Sequence, residues 1–278
     1  MSTDSPLHGR TILMSGGSRG IGLAIACRAA REGANIAFIA KTDKPDARLP
    51  GTIHSAAEAI EAAGGKALPI LGDVRDDEAV SNAVAQTVAY FGGIDIVVNN
   101  ASAIALDAIG ELSAKRYDLM LDINARGTFV LTSAALPHLA ESTHAHILTL
   151  SPPLNLDRRW LAAHAPYTVS KYAMTMLTLG VAEQYRERGL AANCLWPRTY
   201  VATAAVQNLV GGDAAMRTAR RPEIMADAAA VILGRPSDFA TGECYIDDEV
   251  LTSVGITDFA PYRYGDATED ELKPDLFL

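Results

Sequence analysis

Short apolar runs alternate with longer alanine-rich stretches along this chain. The runs at 10–15, 35–40, 67–71, 94–99, 145–150, 191–196 and 243–246 are built mostly from Ile, Val, Leu and Ala. Runs of that length read as strands. Their near-continuous apolarity, in place of strict alternation, marks a parallel sheet covered on both faces. Between them, 20–32, 52–63, 76–91, 113–139, 164–188 and 224–233 carry apolar residues at helical spacing, with 113–139 forming one long helix or two. Gly64-Gly65 and Gly92-Gly93 close two of these helices, since glycine accepts the left-handed cap. Strand and helix alternating about six times predicts a doubly wound α/β domain. No internal repeat or low-complexity linker divides the chain, so 1–278 reads as one domain with a core at about 9–248. Two segments break the rhythm. Residues 41–51 are polar and contain two prolines, lengthening the turn after the second strand. From about 250 the periodicity fades, and 249–278 reads as an extended tail, either packed on a neighbouring subunit or loosely ordered.

Composition narrows the function. Of 278 residues, 49% are hydrophobic and 21% charged, which excludes disorder over most of the length. The net charge of −9, from 24 Lys and Arg against 33 Asp and Glu, repels phosphate backbones, and no basic cluster offsets it. Nucleic acid is therefore not an expected partner. Cys27, Cys194 and Cys244 lie in separate apolar stretches and read as small buried hydrophobes, compatible with a reducing compartment. The first ten residues hold no apolar targeting core, and no apolar run reaches membrane-spanning length. The expectation is a cytoplasmic protein without a membrane span. His138, His144 and His146 have no acidic or thiol partner at metal-ligand spacing, so no metal is expected.

The first strand runs into S-G-G-S-R-G-I-G at 15–22. Gly16, Gly20 and Gly22 answer three needs of a pyrophosphate site: a sharp turn, close backbone approach and tight helix–sheet packing. The following helix aims its N-terminal N–H groups at the anion. Arg19 lies inside the loop, and Lys41 stands where NAD-specific folds place an acid. A cation there attracts a 2′-phosphate, which points to NADP over NAD; otherwise Lys41 is a solvated turn residue. Asp73 suits a hydrogen bond to an adenine amino group, or caps the next helix. Further on, Y-T-V-S-K sets Tyr167 and Lys171 four apart on one helical face. An ammonium beside a phenol lowers its pKa and makes it a usable acid or base, although amphipathic helices also carry such pairs by chance.

Taken together, S-G-G-S-R-G-I-G, D-V at 73–74, N-N-A-S at 99–102, N-A-R-G at 124–127, Ser151, Y-T-V-S-K and W-P-R-T at 196–199 resemble the short-chain dehydrogenase/reductases over about 9–248. K-T after the second strand, S-P-P-L-N-L and the A-D-A-A helix look closest to the hydroxysteroid dehydrogenase-like subgroup. Some of its members carry a sterol-carrier domain that a chain of this length cannot hold. The resemblance implies a Rossmann fold and an oxidoreductase interconverting a secondary alcohol and a ketone, the substrate being a small apolar molecule. It implies that Tyr167 moves the proton at the substrate oxygen, that Lys171 binds the nicotinamide ribose and lowers the Tyr167 pKa, that Ser151 polarises the carbonyl and that Asn124 kinks its helix around a relay water. The cofactor would be held by Ser15, Gly16, Ser18, Arg19, Gly20, Ile21 and Gly22, by Lys41, Asp73 and Val74, by Asn100, Ala101 and Ser102, by Tyr167 and Lys171, and by Pro197 and Thr199. Relatives pair as dimers or tetramers through the two long helices, so a homodimer or homotetramer is expected.

Several positions depart from the family pattern. Ser102 replaces a glycine, Pro152 stands where many relatives have the second serine of a pair, and Arg198 follows Pro197 in place of glycine. Asp247-Asp248-Glu249 replaces Asp-Gly-Gly. Ser151 as catalytic serine competes with Ser151 as a polar strand end, and Arg198 is expected near the nicotinamide pocket. Trp160 with Arg158 and Arg159 suits an apolar substrate with an acidic end, or else packs a surface loop. Alternative functions are a nucleotide-binding regulatory protein that has lost catalysis and a reductase of enoyl or ketoacyl thioesters.

Overall fold

All seven apolar runs form strands in the computed structural model, which describes residues 5–45 and 51–278. Residues 1–4, at the start of the segment read as lacking a leader, and 46–50, inside the polar insert, lie outside the described residues. The strands are β1 (Thr11–Ser15), β2 (Asn35–Ala40), β3 (Lys66–Leu71), β4 (Ile96–Asn99), β5 (His146–Thr149), β6 (Ala191–Trp196) and β7 (Cys244–Ile246). They pair in parallel in the order β3-β2-β1-β4-β5-β6-β7. Along β1, Ile12 and Met14 enter one core layer and Leu13 the other, which is why the run reads as apolar throughout.

Helices cover both faces. α1 (Gly20–Arg31) and α2 (Ile53–Ala62) share one layer with a later helix; α3 (Asp77–Phe91) lies on the other. Asp76 caps α3, its carboxylate accepting the Glu78 and Ala79 N–H groups at 3.0 and 3.2 Å. The stretch at 113–139 resolves into α4 (Ala114–Leu121) and α5 (Gly127–Leu139), joined by a π turn over Asp122–Arg126 in which the Gly127 N–H reaches back to the Asp122 carbonyl. α6 (Arg158–Tyr185) starts earlier than periodicity suggests. Asp157 caps its first turn, accepting the Arg159 N–H at 2.9 Å, and the helix breaks at His164 (φ −140°, ψ 36°) ahead of Pro166. Proline removes a helical donor and crowds the preceding turn, so the apolar pattern restarts there. α7 (Gly212–Arg217) is short, α8 (Glu223–Leu233) packs beside α1, and α9 (Asp247–Ser253) follows β7 directly. Among the described residues no helix is long and apolar enough to cross a membrane.

The segment after β7 thus opens as a helix. It then folds back onto its own chain. Pro274 bridges Thr199, the Tyr200 N–H donates to the Lys273 carbonyl at 2.9 Å and the Asp275 N–H to the Arg198 carbonyl at 3.0 Å. The two unusual charged positions explain each other. Arg198 donates its backbone N–H to Asp247 at 2.8 Å, its Nε lies 3.1 Å from Asp248, and its Nη2 reaches Glu249. The side chain therefore points toward the start of α9 and not into the cleft, contrary to the expectation for Arg198.

Candidate active site

Doubly wound sheets bind ligands where the strand order reverses, beyond the carboxyl ends of the strands. Here β1 lies between β2 and β4, and a cleft of about 910 Å³ opens at that point. Gly16 has φ of +73°, which a side chain rarely adopts. A Cβ on Gly22 would fall 2.5 Å from both Asn100 Nδ2 and the Gly16 carbonyl oxygen. The Asn100 amide needs that space, because Nδ2 donates to the Gly16 carbonyl at 2.8 Å and the Ser15 carbonyl at 3.2 Å. Ser15 Oγ accepts the Asn100 and Ala101 N–H groups at 3.1 Å each. Ser15 and Gly22 thus knit the loop from behind. Gly16, Ser18, Arg19, Gly20 and Ile21 line the cleft, joined by Lys41, Asp73, Val74, Asn100, Ala101 and Ser102. The side chain at the N-cap position, Arg19, makes no capping bond to α1, and the helix start faces the cleft. This cradle fits a dinucleotide: glycines where a Cβ would collide, a helix N-terminus, and two cations. Asp73 is no helix cap, since Asp76 has that role. Hydrogen bonding to Arg75 at 2.7 and 3.0 Å, aided by Lys41, holds its carboxyl below the usual range.

At the far end of the cleft, α6 presents Tyr167 and Lys171, both buried. Lys171 Nζ donates to the Leu150 carbonyl at 2.6 Å and lies 5.1 Å above the Trp196 ring. Burial pulls its pKa down to about 7, against the opposing pull of Asp275. The phenol goes the other way. Burial pushes Tyr167 well above its ordinary value, and the Asp275 carboxylate adds to this. In the tail-seated arrangement Lys171 donates to Leu150, and burial together with Asp275 sets the direction of the Tyr167 shift. Asp275 lines the cleft with part of its surface open, yet the surrounding protein raises its carboxyl to about 7.

The other expected catalytic groups sit behind the wall. Asn124 lies in the π turn, wholly buried; its Oδ1 accepts the Ala103 N–H at 2.7 Å and its Nδ2 donates to the Ala103 carbonyl and Ser170 Oγ at 3.0 Å each. Ser170 in turn donates to the Tyr167 carbonyl at 2.8 Å, so Asn124 braces the tyrosine's own turn. Ser151 is also wholly buried and does not line the cleft. Its hydroxyl lies beside the Cys194 thiol, short of hydrogen-bond geometry, with no other partner among the described residues. Pro197 lines the cleft, whereas Thr199 lies outside it at the Pro274 bridge. A group that never meets the reacting atoms adds nothing at the transition state. Ser151→Ala should therefore change kcat less than about threefold. A fall of ~10²-fold or more, the cost of a lost carbonyl donor, would put Ser151 back in the chemistry.

Four residues beside Tyr167 are given no role by the motifs: Asn155, Trp196 as a donor, Asp275 and Phe277. Phe277 is wholly buried, with its ring centroid 6.0 Å from that of Tyr167. Trp160 packs on the same ring at 5.7 Å, with Arg159 stacked on its other partner face at 4.5 Å. Arg159 also donates to the Leu278 main-chain oxygen at 2.6 Å, so this loop packs on the end of the tail; its residues do not line the cleft. Only the S-P-P-L-N-L stretch, with a polar amide four residues past the strand-end serine, hinted at Asn155.

Comparison with known proteins follows the same outline. Residues 10–213 match the family described as short chain dehydrogenase. Hydroxysteroid dehydrogenase-like protein 2 of Danio rerio is 50% identical over 272 residues, which cover 98% of this chain and 64% of that protein. The chain therefore spans just under two thirds of that relative. A solved short chain dehydrogenase from Mycobacterium thermoresistibile is 54% identical, with a TM-score of 0.91 over 97% of this chain and 95% of that one. A more distant structure, a blue fluorescent protein from a metagenomic library in complex with NADPH, is 29% identical with a TM-score of 0.73 over 87% and 97%.

Proposed function

The chain belongs to the short chain dehydrogenase family, and on that premise we propose that it interconverts a secondary alcohol and a ketone with NADP(H), Tyr167 moving the proton at the substrate oxygen. The observation that carries this reading is the placement of Tyr167 and Lys171, one turn apart and buried, in the same cleft as the glycine loop. When bound, the nicotinamide supplies or accepts the hydride. The chain's residues do the rest. Lys41 and Arg19 favour the cofactor bearing a 2′-phosphate, and a structure 29% identical to this chain was solved in complex with NADPH. Asn124 and Ser170 hold the Tyr167 turn. Tyr167 gives its proton to the carbonyl oxygen in reduction and takes it back in oxidation.

The test is consumption of NADPH or NADH with a panel of ketones, and the reverse with secondary alcohols, followed by nicotinamide absorbance. Saturable, cofactor-dependent turnover is expected. Tight NADPH binding with no turnover across the panel would replace this reading with a second, a nucleotide-binding protein without catalysis. Ser151 behind the wall and Phe277 against Tyr167 are the observations that favour that second reading.

We also propose self-association through α5 and α6. Between them runs a groove lined by Phe129, Leu136 and Met176; Phe129 and Met176 are 55% and 63% exposed. Large exposed apolar side chains side by side mark an interface. Light scattering of the Phe129→Glu, Met176→Glu double variant should report the single-chain mass, against a dimer or tetramer for the parent. An unchanged mass would place the interface elsewhere.

A further inference from the structure

We infer that residues 275–278 occupy this chain's own substrate subsite, and that the vacated subsite takes a ketone carrying an aromatic or bulky apolar group close to the carbonyl. The inference rests on the reading above in one respect, that Tyr167 marks the reacting position.

Phe277 fills a cage of four aromatic rings. Its centroid lies 5.3 Å from Tyr172, 5.7 Å from Trp160 and 6.0 Å from both Tyr167 and Trp196. A cage of this kind selects rings and branched apolar groups. One of its walls is the residue assigned to proton transfer, so whatever fills it sits beside the reacting atoms. Two donors in the same place hold carbonyl oxygens of the tail. Asn155 Nδ2 donates to the Phe277 carbonyl and Trp196 Nε1 to the Leu276 carbonyl, each at 2.9 Å. A carbonyl held by a neutral donor, with an apolar ring close by, is what a ketone substrate would present. Asn155 thereby offers the polarising donor that Ser151, turned toward Cys194, does not.

Other features set these residues apart from a fixed wall. Up to residue 275 the tail is held by backbone pairing to Arg198, Thr199 and Tyr200. Beyond it, Phe277 has φ of +75°, the only positive value at a non-glycine position among the described residues. Asp275 brings a carboxylate into the Tyr167–Lys171 pocket, where it accepts the neighbouring Leu276 N–H at 2.6 Å. A strained residue and a carboxylate set against a phenol favour a seating that opens.

The chain has two tryptophans, Trp160 and Trp196, and both touch Phe277. Intrinsic fluorescence therefore reads the cage directly, with or without turnover. Phe277→Ala in the full chain empties the cage, and Phe277→Leu half fills it, should the first variant fold poorly. If the tail holds the cage nine-tenths of the time, apparent affinity rises about tenfold on its release. With benzyl methyl ketone as probe, the expected results are a KM about tenfold lower in Phe277→Ala, intermediate in Phe277→Leu, with kcat and the cofactor KM unchanged. Without cofactor, the same ketone should shift tryptophan emission at about tenfold lower concentration than in the parent. A Phe277→Ala protein that loses kcat equally with benzyl methyl ketone and acetone, or whose emission ignores the aromatic ketone, would overturn the inference. If neither protein turns over any ketone while the emission shift tightens as stated, the proposed reaction fails and the subsite stands.

Discussion

Tyr167→Phe is expected to lower turnover by about 10³-fold while leaving NADP(H) binding within about twofold. The substitution deletes one oxygen from a buried ring and keeps its packing against Phe277 and its place in the bracing chain through Ser170 and Asn124. That chain contacts the Tyr167 backbone, so the variant should fold as the parent does. What is lost is the only proton carried to the substrate oxygen, and positioned acid–base groups contribute roughly 10²–10⁴-fold. Initial rates under saturating ketone, together with NADPH binding by fluorescence, separate the two effects. A variant retaining a tenth of the parent rate would mean that another group moves the proton. The size of the loss also reports on the state of the phenol. Burial and Asp275 raise the Tyr167 pKa in the tail-seated form, which keeps the phenol protonated and opposes the phenolate needed for alcohol oxidation. Reduction should therefore run faster than oxidation at neutral pH until the tail carboxylate leaves.

The next largest effect is expected at Lys41. Lys41→Glu should lower the ratio of kcat/KM for NADPH over NADH by about 30- to 100-fold. A hydrogen bond to a charged group is worth ~1.5–3 kcal/mol, and each ~1.4 kcal/mol is a factor of ten. Replacing the ammonium by a carboxylate removes that contact and sets a like charge against the 2′-phosphate. NADH, which presents ribose hydroxyls there, gains an acceptor. Lys41 lines the cleft just past the end of β2, close enough to Asp73 to help hold that carboxyl down. Arg19 stays in the loop, its guanidinium donating to the Gly51 carbonyl at 2.9 Å, and limits the swing. An unchanged ratio would make Lys41 a solvated turn residue. Kinetics with both cofactors at one ionic strength give the answer, because exposed charges are screened by salt.

Much of the scaffold can be read from the residues. The strands at 35–40 and 191–196 coincide with β2 and β6, since a buried parallel strand needs apolar side chains on both faces and its ends show as a change of polarity. The glycine loop is equally legible, because its geometry excludes side chains at Gly16 and Gly22. Three things escape such reading. The first turns of α6 hide behind Pro166, whose break resets the helical period. Ser151 is the right residue type at a strand end, but which way its hydroxyl turns depends on Cys194, a neighbour from another strand. The last four residues, D-L-F-L, have no period and pair with rings more than 80 positions away except at Trp196, where the separation is itself about 80. Contacts over such distances leave no trace in local pattern, and a wholly buried Phe277 emerges only once the chain is folded.

The ion pairs between Arg198 and the start of α9 have a consequence for anyone reshaping this protein. Restoring the family's glycine at 198 alone would strand Asp248 and Glu249 beside each other with their shared cation gone, while Arg220, 3.8 Å from Asp248, would remain as a lone counter-ion. Restoring the glycines at 248 and 249 alone would orphan the guanidinium instead. The two segments are coupled through these ion pairs, so a chimera built from this chain and a relative should take both from the same parent.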